Sequence, residues 1–244
     1  MPHSIGVFVV ASVVIGGNGF LGSYLVDSLV WAGHEVTVFD RFSHEPLAPL
    51  PPSVRVVKGD LSDRRAVREA LTGQDLVAHF ASTTSPIDAG ADPSLDVRTN
   101  LADAVELLQA AVELGVQRVV FASSGGAIYG DQSAALVTEE SVPRPISPYA
   151  IGKLAIEGYL RFFRATHGLD SVSLRISNPY GPRQHPHKRQ GVIPIFLHRI
   201  QQGLPIEVFG DGSMVRDYVF VADAARMISA AMEAPAKHEV YNVG

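Results

Sequence analysis

Three evenly spaced glycines follow directly after a run of apolar residues. This feature limits the possible folds of the chain more than any other. The apolar stretch that begins at Ile5 predicts a buried strand over Val9–Ile15. Gly16, Gly19 and Gly22 then mark its junction with a predicted helix, Phe20–Trp31. Glycines in such a turn let the backbone approach a pyrophosphate, and the free N–H groups of the helix N-terminus favour its negative charge. The pattern predicts a dinucleotide-binding unit.

An acidic residue follows at the distance that such a unit requires. Asp40 ends the next predicted strand, Glu35–Phe39, about 20 residues after the glycines. A carboxylate at this position accepts a hydrogen bond from a ribose 2′-hydroxyl and repels a 2′-phosphate. We therefore expect NAD rather than NADP, although Arg41 stands directly beside Asp40.

Short β-branched runs alternate with amphipathic runs along most of the chain. Further strands are predicted over Val54–Lys58, Leu76–Phe80, Arg118–Ala122 and Ser171–Ile176, and further helices over Arg64–Leu71, Leu95–Glu113 and Tyr149–Thr166. This alternation, with strands that read as continuous apolar runs, is typical of a parallel sheet covered on both faces. We predict an α/β fold, a Rossmann-type doubly wound parallel sheet.

The composition changes near Asn178, where residues 178–194 are rich in proline, glycine, histidine and basic residues. We predict a dinucleotide-binding domain over residues 1–177. Residues 178–244 are expected to form a small, truncated C-terminal substrate lobe that is interleaved with the first domain. Within it we expect strands near Glu207–Phe209 and Asp217–Phe220, helices over Ile193–Gln201 and Val221–Met232, and a strand beginning near Tyr241.

Composition and charge exclude several classes of protein. Apolar residues make up 46% and charged residues 18% of the 244 residues, which argues against a disordered chain. A net charge of −5 makes broad nucleic-acid or anionic-membrane binding a poor hypothesis. With 0 cysteines there is no disulfide, thiolate chemistry or cysteine-ligated metal, which is compatible with the cytoplasm. The apolar stretch Ile5–Ile15 is too short to span a bilayer.

A tyrosine and a lysine four residues apart supply a candidate acid–base pair. Tyr149 and Lys153 share one face at the start of a predicted helix. Bringing a phenol pKa from about 10 to about 7 takes about 4 kcal/mol, which we expect from a buried Lys153 together with a bound nicotinamide cation. Ser123 and Ser124 follow a predicted strand, where ligands bind in parallel sheets. Either hydroxyl can align a substrate oxygen with the phenol.

Together these motifs resemble the extended short-chain dehydrogenase/reductase family, in its NAD-dependent nucleotide-sugar epimerase/dehydratase branch (UDP-glucose 4-epimerase-like). The resemblance implies Ser124, Tyr149 and Lys153 as catalytic residues. Its implied cofactor contacts are Gly16, Gly19, Phe20, Leu21, Gly22, Asp40, Arg41, Asp60, Leu61, Phe80, Ala81, Ser82, Asn100, Tyr149 and Lys153. Its implied substrate contacts are Ser85, Ser124, Asn178 and Arg216. The pair Gly125-Gly126 lengthens the loop after the serines, so Ser123 stays an alternative to Ser124. The family also implies a homodimer, formed by the helices that contain Leu95–Leu114 and Tyr149–Thr166.

The loop after the serines bears on the reaction. Dehydratases and decarboxylases of this branch typically carry acidic residues there, whereas Gly125–Ile128 contains neither acid nor base. This favours a nucleotide-sugar 4-epimerase of the UDP-glucose/UDP-galactose type, with NAD and a 4-keto sugar intermediate. A dehydrogenase, reductase or dehydratase of the same family remains an alternative, as does an NAD-binding scaffold with a silent site. His185 and His187 are expected in a solvated loop, with no metal bound, and the basic residues 183–189 are either exposed or beside a substrate phosphate.

Overall fold

Nine strands and nine α-helices organise the computed structural model across the residues it describes. These are residues 9–83, 86–131, 136–185, 191–208 and 210–244, with the backbone alone at 86–88. The strands are β1 (Ala11–Ile15), β2 (Glu35–Asp40), β3 (Arg55–Lys58), β4 (Leu76–His79), β5 (Arg118–Ser124), β6 (Asp170–Ile176), β7 (Asn178–Tyr180), β8 (Tyr218–Phe220) and β9 (Val240–Val243). The helices are α1 (Phe20–Trp31), α2 (Arg64–Leu71), α3 (Pro86–Ala91), α4 (Pro93–Asp96), α5 (Ala102–Glu113), α6 (Gly125–Ile128), α7 (Pro148–His167), α8 (Val192–Gln201) and α9 (Val221–Glu233).

Seven strands form one parallel sheet in the order β3-β2-β1-β4-β5-β6-β9. The chain moves outward from β1 to β3, returns to β4 beside β1, and then moves outward in the other direction. Ligands bind doubly wound sheets where the order reverses, beyond the carboxyl ends of the strands. That point lies between β1 and β4. The prediction of a Rossmann-type doubly wound parallel sheet is confirmed.

The two faces of the sheet are covered by different helices. Neighbouring strand residues point to opposite faces, so Val13 packs with α2, α5 and α7, whereas Val14 packs with α1 and α9. Both valines have no exposed surface. Burial on both sides explains why the strands read as continuous apolar runs.

One predicted helix is divided in the structure. The expected helix Leu95–Glu113 consists of the end of α4, a π-helical turn (Val97–Leu101) and α5. The apolar periodicity continues through the turn, which is why the sequence does not reveal it. Leu95, which precedes the turn in α4, is exposed.

The late part of the chain contributes to two sheets. β9 adds to the large sheet beside β6, and β7 pairs with β8 in a separate parallel pair. Residues 204–208 have no regular structure, so the strand expected near Glu207 is absent there, and Phe209 lies outside the described residues. Within the described part of the chain, no helix has both the length and the apolar character needed to cross a membrane.

Candidate active site

The glycine turn lies where β1 and β4 end side by side. Gly16 has a φ of +89°, and its N–H donates to Phe39 O at 2.8 Å. A β-carbon on Gly16 would lie 2.7 Å from Ala81 N, and one on Gly22 would lie 2.2 Å from Gly16 O. Gly19, which has no side chain to cap α1, occupies the N-cap, and the first turn of α1 carries no acidic residue. The turn therefore has bare backbone at its three glycine positions, next to a positive helix end, which fits a pyrophosphate.

The predicted ribose contact is held by the backbone beside this turn. The Asp40 carboxylate accepts from Asn18 N at 3.1 Å and from Phe42 N at 3.2 Å. Arg41 points instead toward Asp60, with 3.8 Å between Nη1 and Oδ2. The N–H of Ser62 donates to Asp60 at 3.0 Å and holds the pKa of that carboxyl below its usual value. Arg41 thus faces the carboxylate of Asp60 and not that of Asp40, its neighbour in the sequence.

Tyr149, Ser124 and Lys153 come together across β5 and α7. The side chain of Ser147 accepts from Ala150 N at 3.3 Å and Pro148 occupies the first turn, so α7 begins where Tyr149 faces the end of β5. The Ser124 hydroxyl faces the Tyr149 hydroxyl and acts to lower the pKa of that phenol. The buried Lys153 lies with Nζ 5.7 Å from the centre of the Tyr149 ring and donates to Ala122 O at 2.8 Å.

Burial dominates the electrostatics of the Tyr149–Lys153 pair in the protein without its cofactor. Burial raises the pKa of Tyr149 to about 12, although Ser124 acts in the opposite direction. Burial also lowers the pKa of Lys153 to about 8. In the protein without its cofactor the phenol is therefore not acidified, because desolvation dominates its pKa. The expected decrease toward 7 requires Lys153 together with the nicotinamide cation, and it stays a prediction. Positive charge beyond that of the side chains is needed to form the phenolate.

The two candidate serines, Ser123 and Ser124, point in different directions. Ser123 points away from Tyr149 and donates from Oγ to Glu157 Oε1 at 2.6 Å. Glu157 forms a buried ion pair with Arg175, at 2.7 Å from Oε2 to Nη2. Arg175 in turn donates to the Tyr129 hydroxyl at 2.9 Å. Since neighbouring strand residues face opposite sides, only Ser124 is directed at the phenol.

Four residues next to the predicted site residues were not predicted from the sequence, namely Asn18, His79, Thr83 and Asp96. The predicted Asn100 lies in the π-helical turn, accepts from Thr83 N at 2.8 Å, and donates to Asp96 Oδ1 at 2.7 Å. His79, Ser82, Asp96, Asn100, Tyr149 and Lys153 line one small hollow. Of these, His79 is completely desolvated, which lowers its pKa to about 3. Asp96 could have been found from its position four residues before the predicted Asn100. Nothing in the sequence distinguishes Asn18, His79 and Thr83 from ordinary turn and strand residues.

The predicted substrate contacts are only partly brought together. Asn178 begins β7 and donates from Nδ2 to Asp217 O at 2.7 Å, and a β-carbon on Gly126 would lie 3.5 Å from its amide. This places it beside the loop that follows Ser124. Arg216 lies in an exposed segment, where its guanidinium donates to Val215 O at 2.9 Å. Ser85 lies outside the described residues.

Arg183, the first residue of the basic segment after β7, is held by contacts with α1. Arg183 pairs with Asp27 of α1 at 2.7 Å, and its guanidinium carbon lies 4.3 Å from the centre of the Tyr24 ring. These contacts join the late segment to α1, so Arg183 is not freely exposed. A position of the basic residues beside a substrate phosphate stays a prediction. His187 and Arg189 lie outside the described residues. Among the residues that are described, no group of three His, Cys, Asp or Glu side chains is placed to hold a metal ion.

A doubly wound sheet with a glycine-rich turn at its switch point, and a serine, tyrosine and lysine facing that point, defines an NAD-dependent short-chain dehydrogenase/reductase type of protein. The chain belongs to the NAD dependent epimerase/dehydratase family, whose model matches residues 12–244. Its cofactor is NAD.

Relatives within this family differ in the reactions that their names state. The structure of the UDP-glucose 4-epimerase of Thermotoga maritima with UDP-glucose is similar, with a TM-score of 0.90, 37% identity, and coverage of 96% of this chain and 76% of that one. The UDP-glucose 4-epimerase of Thermus thermophilus in complex with NAD gives a TM-score of 0.88, 40% identity, and coverage of 96% and 77%. A dTDP-glucose 4,6-dehydratase of an Actinoplanes species is 33% identical over 95% of this chain and 75% of its own length. The family therefore includes both epimerases and dehydratases at similar distances from this chain.

Proposed function

We propose that this protein is an NAD-dependent epimerase that inverts C4 of a nucleotide-diphosphate sugar, of the UDP-glucose/UDP-galactose type. The observation that carries the proposal is the composition of α6, which directly follows Ser124. Its residues Gly125, Gly126, Ala127 and Ile128 contain no titratable side chain. Elimination of water needs a proton donor near the departing hydroxyl, in addition to Tyr149. Hydride and proton exchange at C4 needs Tyr149 alone as the acid and base.

The chain's own residues divide the work between proton transfer and orientation. Tyr149 removes the proton from the sugar 4-hydroxyl and later returns a proton to the same oxygen. Ser124, which faces that phenol, holds the sugar oxygen in line with it. Lys153 holds the nicotinamide ribose and stabilises the phenolate. Bound NAD would supply a reversible hydride acceptor for C4 of the sugar, so that inversion would involve no net oxidation.

The remaining roles follow the positions of the residues. Gly16, Gly19 and Gly22 admit the pyrophosphate, and Asp40 accepts from the adenosine ribose. Asn178 is proposed to contact the substrate near its phosphates, because it lies beside the loop after Ser124. Arg216 is proposed to pair with the diphosphate, a role that requires it to turn inward from its exposed position.

The reaction is tested by incubating the purified protein with NAD and either UDP-glucose or dTDP-glucose, and identifying the products by mass spectrometry and NMR. Inversion at C4 without net NADH formation is expected. Loss of the mass of one water molecule would identify a dehydratase instead. Net cofactor reduction or oxidation would identify a dehydrogenase or reductase, and unchanged sugars with bound NAD would favour the silent scaffold.

The proposed base is tested by Tyr149→Phe. Loss of the hydroxyl should lower kcat by about 10²–10⁴-fold and leave NAD binding intact, because the glycine turn is unchanged. The matched control is Tyr159→Phe, which removes a hydroxyl from an exposed position on the same helix. Equal activity of Tyr149→Phe and the wild type would contradict the proposed chemistry.

We further propose a cytoplasmic homodimer. Ile151 and Phe162 of α7 are about half exposed, and three helical turns separate them along one face. Exposed apolar groups on one helix face are typical of a protein interface. Sedimentation should give a dimer for the wild type and a monomer for Phe162→Asp. The absence of cysteines in the sequence supports the cytoplasm.

A further inference from the structure

Asp96 is a buried carboxylate to which the proposed reaction gives no role. It ends α4 and is 2% exposed. A carboxylate that is removed from water has to be hydrogen-bonded and compensated by positive charge, because the desolvation of an isolated ion is very costly. The groups around Asp96 therefore indicate which positive charge its carboxylate compensates.

One oxygen of this carboxylate is bound within its own helical segment. Asn100 Nδ2 donates to Oδ1 at 2.7 Å, one π-helical turn further along the chain. Single π-helical turns occur frequently at functional sites. This turn directs Asn100 toward both Asp96 and Thr83, and so fixes the carboxylate in place.

The other oxygen faces α7 at the residue before Lys153. A β-carbon on Gly152 would lie only 2.4 Å from Asp96 Oδ2, so α7 can approach the carboxylate only with glycine at this position. Asp96, Tyr149, Gly152 and Lys153 line the same small hollow. The carboxylate and the lysine are therefore held close to each other by the packing of their helices.

We propose that Asp96 is a positioning residue for the Tyr149–Lys153 pair, whose buried carboxylate is the counter-charge that keeps Lys153 an ammonium. The proposal rests on the function proposed above for Tyr149 and Lys153. It assigns to Asp96 no contact with the sugar or the cofactor.

The charges around Lys153 agree with this assignment. Burial lowers the pKa of Lys153 to about 8, and the charge of Asp96 acts against that decrease. His79 faces the lysine from β4 and is neutral above a pKa of about 3, since its burial excludes the charged form. The Ala122 carbonyl accepts from Nζ at 2.8 Å, and the Tyr149 phenol stays protonated because burial, and to a smaller extent Asp96, raise its pKa. An ammonium beside a neutral phenol is therefore the form of the pair before the cofactor binds.

The test is a pH titration of the lysine side chains by NMR in protein labelled with ¹³C-lysine and free of cofactor. The sequence contains only Lys58, Lys153, Lys188 and Lys237, so the spectrum is simple, and the Lys153 signal is assigned by its absence in Lys153→Met. We expect a midpoint near pH 8 for Lys153. In Asp96→Asn, which keeps the oxygen that Asn100 contacts, this midpoint should fall by about 1 pH unit or more. The control Glu113→Gln removes an exposed carboxylate from α5 and should leave it unchanged.

An unchanged or higher Lys153 midpoint in folded Asp96→Asn would overturn the proposal. Since the titration uses neither nucleotide nor sugar, it is independent of whether the chain is an epimerase. If Asp96→Asn does not fold, Lys153→Met provides the second test, because it leaves the charged form of the buried carboxylate without its cation and therefore costly. The decrease in unfolding temperature caused by Lys153→Met should then become smaller as the pH falls from 7 to 5. A decrease that is the same at both pH values would refute the role of Asp96, and Lys58→Met at an exposed position is the control.

Discussion

Two regions of the molecule differ in the burial of their side chains. One is the cofactor edge of the large sheet, which includes Asp96, Lys153 and Glu157, and the other is the segment 200–218. At the cofactor edge, the polar residues Asp96, Lys153 and Glu157 are buried, and each has a partner of fixed geometry. In the segment 200–218, every described residue is exposed, and this includes Met214 and Val215 at 69% and 86%. The first region is held by many mutual contacts, whereas the second has few within the part of the chain described. The positions of the proposed catalytic residues are thus specified more tightly than that of Arg216 on the substrate side.

The largest expected effect comes from breaking the buried ion pair behind β5. Glu157→Gln leaves the charge of Arg175 buried and unbalanced, and it weakens the acceptor of Ser123. We expect the free energy of unfolding to fall by about 3–5 kcal/mol, measured by urea denaturation. The exposed pair of Glu113 and Arg68 provides the control, and Glu113→Gln should cost less than about 1 kcal/mol. Similar losses for both variants would mean that the cofactor edge is no more tightly held than the surface.

Overpacking the glycine turn should have the next largest effect. Gly22→Ala places a methyl group 2.2 Å from Gly16 O, where the backbone has to move. We expect a loss of about 1–3 kcal/mol in unfolding free energy and weakened NAD binding in a fluorescence titration.

The matched control for this turn is Gly158→Ala in α7, where an added β-carbon meets nothing within 4 Å. It should stabilise the protein by about 0.5–1 kcal/mol, because alanine favours helices more than glycine does. Unaltered NAD binding in Gly22→Ala would show that the close approach of α1 to the turn is not needed for the cofactor.

Acid should destabilise the cofactor edge through His79. The pKa of this residue is about 3 in the folded protein and near 6.5 when it is unfolded. The unfolded chain therefore binds more protons below pH 6.5, and stability falls as the pH decreases. From the roughly 1.5 units between pH 6.5 and 5, at about 1.4 kcal/mol per unit, we expect a loss of about 2 kcal/mol.

The comparison is His79→Phe, which keeps an aromatic ring next to Phe121 and cannot be protonated. Its unfolding free energy should fall about 2 kcal/mol less than that of the wild type between pH 7 and pH 5, as measured by urea denaturation. An identical decrease in both proteins would mean that His79 is solvated and titrates normally.

The smallest effect is expected in the exposed segment. Val215→Ser should change the unfolding free energy by no more than about 0.5 kcal/mol, because Val215 buries little surface. A calorimetric comparison with Val219→Ser, at a buried position in β8, provides the contrast. A large loss in Val215→Ser would show that the segment 200–218 packs against something in solution, and would remove the difference between the two regions.

The sequence by itself determined the parallel sheet, the glycine turn, Asp40 and the Tyr149–Lys153 pair, because strand runs, turn glycines and an i, i+4 spacing are local signals. The tertiary structure alone decided that Ser124 rather than Ser123 meets Tyr149, that the helix after Pro93 contains a π-helical turn, and that Arg183 binds α1. It also decided the charge states of Tyr149 and Lys153. Desolvation and ion pairing depend on which distant residues surround a group, and Asp96, His79 and Glu157 reach their places only when the strands and helices pack together.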